Sequence, residues 1–254
     1  MGSHFFVLGR GILQSIKESL KNEEFFHCFQ PIFDTNNWKE IGYESFLRSN
    51  TRPNPEIVFL EARKEEQLYE LDSWSIYHAT RNYEKSGMSK KDGFLFLNIF
   101  PSTIVHEQFP SFINKIMSEF TLENQQIVFE VSESEVIFQL DIFKKRVQDL
   151  KNQGFLIAVD DMGKDHSCLK LIVETEPDFI KLDRYFAEDL HLSDKKQKII
   201  KLLLTYSEQF GIKIILEGIE TPNEMAIAKA LGIPYCQGFM LGEPEKLTVS
   251  VNGV

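Results

Sequence analysis

The stretch FLIAVDDMG, residues 155–163, is an apolar run that breaks abruptly into two adjacent carboxylates, Asp160 and Asp161, and then a glycine. A short apolar run of this kind between Gly154 and Gly163 reads as a buried strand over Phe155 to Val159, with its charge collected at the C-terminal end. Just upstream, Asp141 to Asn152 has helical patterning and Gly154 stands where that helix should stop. Downstream, Phe179 to Leu182 is a second apolar run that again carries a charged residue, Lys181, near its end. Helices that alternate with such strands belong to α/β folds with a parallel sheet.

Outward from this segment the same alternation fills the chain. Further strand candidates are Phe25 to Phe33, Ile41 to Leu47, Phe94 to Ile99, Ile127 to Val131, Ile212 to Leu216 and a short one near Tyr235 to Gln237. Eight strands are the number a closed (β/α)8 TIM-type barrel requires. Helices are expected at Gly11 to Lys21, across Glu56 to Gly87 with a break, at Ser193 to Phe210, and at Thr221 to Leu231. The last opens on a cap, Thr221, with Pro222 and Glu224 behind it, and Gly211 and Gly232 mark helix ends. The first two strands are joined only by Asp34 to Glu40, too short for a crossover helix, so they are predicted to form a hairpin with the first strand antiparallel. No linker divides the 254 residues, and one barrel domain is expected, its core at about 15–248, with Met1 to His4 set aside as a terminal remnant.

Composition narrows the function. A chain that is 43% hydrophobic and 26% charged can build a buried core. Its net charge of −10 argues against DNA or RNA as a partner, because that affinity comes mainly from Lys and Arg displacing counterions. Cys28, Cys168 and Cys236 are odd in number and lack CxxC spacing, so they read as reduced thiols. The apolar part of Phe5 to Leu13 is too short and too charged for a membrane span or a signal peptide. A cytoplasmic protein is expected.

The chemistry lies in what ends each strand. Glu44, Asn98, Glu130, Asp160 with Asp161, Lys181, Glu217 and Gln237 come from the second to the eighth strands in turn. In a barrel these ends converge on one mouth. Each acid alone would be an ordinary surface carboxylate. Together they cannot all be buried and ionised without a cation, since each unpaired buried charge costs several kcal/mol, on the order of a domain's whole stability. The donors are hard oxygens, which favours Mg²⁺ or Mn²⁺, and the Asp160-Asp161 pair suggests two ions sharing a carboxylate. Such sites activate water against a phosphoryl group.

The segments FQPIFD, GYESFLR, FLNIFPS, FEVSES, AVDDMG, FIKLDR, LEGIET and CQGFMLGEP, spread from Phe29 to Pro244, resemble in order and spacing the motifs of the EAL family of cyclic-di-GMP phosphodiesterases. That resemblance implies a barrel with a reversed first strand and hydrolysis of cyclic di-GMP to linear pGpG. It implies that Glu44, Asn98, Glu130 and Asp160 bind one metal ion and that Asp160 with Asp161 binds a second. Lys181 would hold the attacking water and phosphate, Glu217 would act as general base, and Gln237 would orient water or substrate. Gln30 and Arg48 would lie on the substrate phosphates, and Glu133 would tether the loop after the fifth strand.

Two departures are this chain's own. The signature tripeptide is Glu44-Ser45-Phe46, and Phe46 either narrows the cleft or stacks on a guanine. The family's usual Asp-Asp-Phe-Gly-Thr-Gly-Tyr-Ser-Ser is here Asp160-Asp161-Met162-Gly163-Lys164-Asp165-His166-Ser167-Cys168, with Asp165 in place of a glycine. The resemblance ties that loop to metal binding and to a dimer interface. The alternative function is a cyclic-di-GMP receptor or protein-binding module with little turnover, on which Ca²⁺ could stand as a non-productive substitute. A homodimer or a regulatory partner chain is expected with either.

Overall fold

In the computed structural model, which describes residues 15–90, 93–132, 135, 137, 139–164 and 168–248, the strands close into a barrel in chain order. They are β1 Phe25–Asp34, β2 Glu40–Ser49, β3 Phe94–Ile99, β4 Ile127–Val131, β5 Leu156–Met162, β6 Phe179–Leu182, β7 Lys213–Leu216 and β8 Tyr235–Cys236. The helices are α1 Ile16–Lys21, α2 Pro55–Lys64, α3 Leu68–Lys85, α4 Pro101–Val105, α5 Phe109–Glu119, α6 Leu140–Asn152, α7 Cys168–Thr175, α8 Arg184–Ala187, α9 Asp194–Phe210 and α10 Pro222–Leu231. The break expected within Glu56 to Gly87 separates α2 from α3, and β8 ends one residue before Gln237. Gln237 nonetheless continues the ladder, its N–H donating to the Leu216 carbonyl at 2.9 Å.

β1 runs antiparallel to both β2 and β8, and every other neighbouring pair is parallel. The cause is the expected hairpin: Trp38 N–H returns to the Asp34 carbonyl and Asp34 N–H to the Lys39 carbonyl, both at 2.9 Å, which leaves no chain for a crossover.

Strand side chains alternate between two faces, and the alternation builds two layers inside the barrel. The lower layer is apolar: Ile32, Phe96, Val128, Ala158, Phe179 and Ile215 form one buried cluster, joined by Tyr235. Two residues further along the parallel strands come Asn98, Glu130, Asp160, Lys181, Glu217 and Gln237. On the reversed β1 the step runs the other way, from Ile32 back to Gln30, which pairs with Glu44 of β2. Below Glu44 sits Gly42, where a Cβ would come within 2.3 Å of the Phe94 carbonyl oxygen, so only glycine lets these two strands close here. A larger cluster, including Leu95, Leu97, Phe129, Val131, Ile157, Ile180 and Ile214, packs the outer faces of the strands against the helices.

α1 and α2 are tied to the β1–β2 end of the barrel by Arg52, which is 3% exposed. Its guanidinium reaches Glu61 at 2.7 Å, Glu24 at 3.5 Å and Ser19 Oγ at 3.1 Å. Among the described side chains, Cys28 and Cys236 are free thiols. No helix among the described residues is long and apolar enough to cross a membrane.

His27 on β1 gives the fold a pH dependence of its own. It is buried, shares a 3.0 Å hydrogen bond with Ser75 Oγ, and stacks on Trp74. Burial, reinforced by His78, lowers its pKa from 6.5 to about 3. The unfolded chain therefore binds the proton first, and stability is lost as pH falls from about 6.5 toward about 3. The slope from one such group is at most about 1.4 kcal/mol per pH unit. Urea melts between pH 6.5 and 4.5 should show a shallower decline for His27→Gln than for wild type; equal slopes would assign the acid sensitivity elsewhere.

Candidate active site

The ammonium of Lys181 is the centre of the mouth. It is fully buried, and its Nζ lies 2.6 Å from Glu217 Oε1, 2.7 Å from Glu44 Oε2, 2.7 Å from Glu130 Oε1 and 3.4 Å from Asp160 Oδ1. The residues come from β6, from just past β7, and from β2, β4 and β5, so the constellation exists only when the barrel is closed. Gln237 Nε2 donates to Glu44 Oε2 at 3.0 Å and to Gln30 Oε1 at 3.1 Å, and Gln30 Nε2 donates to the Gly242 carbonyl at 2.8 Å. Asn98, beside Glu130 in the β3–β4 register, donates from Nδ2 to Glu44 Oε1 at 3.2 Å.

β5 carries a one-residue bulge between Val159 and Met162. The extra residue is accommodated by Asp161, whose φ of 59° is left-handed. Asp160 and Asp161 can then both reach the mouth, although neighbours on a regular strand would face opposite ways. With Glu217 they offer one oxygen each within 4.8 Å of one another.

Burial dominates the titration of these groups. It raises the Glu217 carboxyl to about 8, Lys181 pulling it down and Asp160 and Glu44 pushing it up. It raises Asp161 to about 6, with the charge of Asp160 adding to it. Glu130 is held well above the carboxylate range by burial and then by Glu44, against the pull of Lys181. Burial alone would lower Lys181, but Asp160, Glu130, Glu217 and Glu44 together raise it well above its ordinary value. The ammonium stays charged while part of the acid cluster holds protons.

The residues fit a hard divalent cation. All the donors are oxygens, three of them converge, and Glu130 Oε2 is buried without a hydrogen-bond partner among the described residues. Glu44, Asn98, Glu130, Asp160, Asp161 and Glu217 offer the oxygens that could hold metal.

The mouth opens into a cavity of about 730 Å³ whose floor is this cluster. Phe46 and Arg48 continue the inward face of β2 along its wall, with the guanidinium 5.1 Å above the Phe46 ring. All twelve residues singled out from the sequence except Glu133 meet at this cavity or beneath it. Glu133, like Asp165 to Ser167, lies outside the described residues.

A further part of the wall was missed. Phe59 and Arg63 of α2 line it, Phe59 edge-on to Phe100 at 5.1 Å and Arg63 over the same ring at 5.0 Å. Asp72 of α3 is buried behind them and accepts the Phe100 N–H at 3.0 Å, with burial raising its pKa to about 7. The signal for Asp72 was its place on the buried stripe of α3, with Ile76, Ala79 and Tyr83.

A profile for the EAL domain matches residues 13–244. The chain belongs to the EAL domain family. It is similar to the blue light- and temperature-regulated antirepressor BluF of Escherichia coli, with 27% identity over 85% of this chain and 53% of BluF. It is similar to the cyclic di-GMP phosphodiesterase PdeF of the same organism, with 24% identity over 96% of this chain and 33% of PdeF. Among solved structures, a manganese and cyclic-di-GMP complex of Klebsiella pneumoniae BlrP1 superposes with a TM-score of 0.79 and 29% identity, over 87% of this chain and 56% of that one. The chain thus spans about half the length or less of the curated relatives it is compared with.

Replacing Lys181 by Met would leave four carboxylates facing one another. The expected loss is about 3–5 kcal/mol near neutral pH. The loss should be smaller at pH 5.5 than at pH 8, because acids forced above their unfolded pKa values destabilise the fold increasingly as pH rises. Thermal melts at the two pH values read this out, and a pH-independent loss would mean that packing, not charge, is what Lys181 provides.

Proposed function

We propose that this EAL domain hydrolyses cyclic di-GMP to linear pGpG, using two divalent ions, Mg²⁺ or Mn²⁺, held by Glu44, Asn98, Glu130, Asp160 and Asp161. The observation that carries the reading is the Lys181 ammonium buried among Glu44, Glu130, Asp160 and Glu217 at the floor of the cavity. When bound, the ions would polarise the phosphoryl oxygens and make water nucleophilic near neutral pH.

The chain's own residues do the rest. Glu217 accepts the proton of the attacking water, from a position where burial raises its carboxyl to about 8. Lys181 holds the water and the phosphate beside it. Gln237, fixed between Glu44 and Gln30, orients the water or substrate by hydrogen bonding. Arg48 offers its donor fork to a substrate phosphate, with Gln30 below it. Phe46 narrows the cleft on that side and lies under the guanidinium. Glu133 tethers the loop after β5 in this reading. The chain functions as one barrel domain with its core at about 15–248, in the cytoplasm, where a cyclic dinucleotide messenger acts. A homodimer or regulatory partner chain would control it.

A second reading is favoured by one comparison, since BluF is named an antirepressor. On that reading the cavity binds cyclic di-GMP without turning it over, with Ca²⁺ as an acceptable substitute, and the signal passes to a protein partner. Incubation with cyclic di-GMP and Mg²⁺ or Mn²⁺, followed by chromatography, separates the two. Formation of pGpG by wild type, reduced at least about 100-fold in Glu217→Ala, is the expected outcome. Saturable nucleotide binding with no pGpG from wild type would establish the receptor instead.

A further inference from the structure

The turn that follows Asp161 brings a cation onto the very carboxylate assigned to the second ion. Lys164 N–H closes the turn on the Asp161 carbonyl at 3.1 Å. Between them Gly163 has φ 108°, and a Cβ there would lie 2.4 Å from Cε2 of Phe186, so this turn requires glycine at that position. That path sets Lys164 three residues from Asp161 in a closed loop, and its Nζ lies 3.4 Å from Asp161 Oδ2.

Asp160, Asp161 and Glu217 are also the residues whose oxygens converge within 4.8 Å. An ammonium and a divalent ion drawn to one carboxylate repel each other, so each weakens the hold of the other. The two lysines of the site differ in whether they can yield. Lys181 is 0% exposed and enclosed by the barrel, whereas the Lys164 side chain is 50% exposed at the rim and can turn into solvent without uncovering core.

We propose that Lys164 is a built-in counter-ion of Asp161 that competes with the second divalent ion, so that this ion binds more weakly than the first and its occupancy follows the free metal concentration. The proposal rests on the metal-site reading above. While the ion is absent, Lys164 keeps Asp161 balanced in its left-handed conformation; when the ion arrives, the ammonium leaves.

The test is titration of Mn²⁺ into wild type, Lys164→Met and Lys164→Arg, with free Mn²⁺ counted by electron paramagnetic resonance. The Met variant keeps the length of the side chain and removes its charge. Its second ion is expected to bind up to about fivefold more tightly than in wild type, with the first ion unchanged and the Arg variant behaving as wild type. Retention of the first ion shows that the barrel is intact. A second ion bound equally or less tightly by Lys164→Met overturns the competition and leaves the metal site standing. Loss of the first ion in Lys164→Met also overturns it, because Lys164 would then be supporting the site. Absence of Mn²⁺ binding in all three proteins overturns both the competition and the metal site.

Discussion

A buried ammonium shared by four carboxylates is the constraint on which the rest of the structure depends. Lys181 cannot be removed from water unless anions surround it, and Glu44, Glu130, Asp160 and Glu217 cannot be gathered unless a cation lies between them. These groups belong to different strands, so their mutual compensation is available only to the closed barrel. The same constraint fixes register. A slip of one residue in any of these strands would turn its charged group toward the helices and bring an apolar residue from the outer cluster into the mouth.

The inner layer beneath the site explains how the charges can be held there. Ile32, Phe96, Val128, Ala158, Phe179 and Ile215 fill the barrel below, close off water from that side, and force the polar layer to face the open end. Burial then becomes the leading cause of the raised pKa values of Glu130, Asp161 and Glu217. The apolar layer beneath is therefore part of the site's chemistry as well as of its stability. It makes the carboxylates costly to ionise, and a cation arriving at the mouth is correspondingly favoured.

Much of this was legible in the sequence because it depends on a two-residue step that the sequence states directly. Val128 to Glu130, Ala158 to Asp160 and Phe179 to Lys181 each show an apolar residue and its charged successor on one strand face, and the short Asp34–Glu40 link announced the reversed β1. What depends on relations between elements was not legible. The break between α2 and α3 places Phe59 and Arg63 against Phe100, a meeting that no local pattern encodes. The β5 bulge was hidden as well: Asp160 and Asp161 could be read as neighbours, but strand alternation would have sent them to opposite faces. The Lys164–Asp161 pair follows from that bulge and the turn behind it, so it too needed the folded backbone.

The chain's charge of −10 says little about what the cavity can hold, because sign is sorted by depth within it. Carboxylates lie at the floor, and Arg48, Arg63, Lys164 and Arg184 stand along the walls and rim. For the proposed substrate, phosphate oxygens would meet guanidinium and ammonium groups first, and only the reacting phosphate needs to approach the acidic floor. Binding at the rim and reaction at the floor thus draw on different residues. On the proposed reading, a domain built this way would retain the nucleotide while its metal occupancy changed, so that one geometry could serve either an enzyme or a receptor and the electrostatic balance at Asp160 and Asp161 would decide between them.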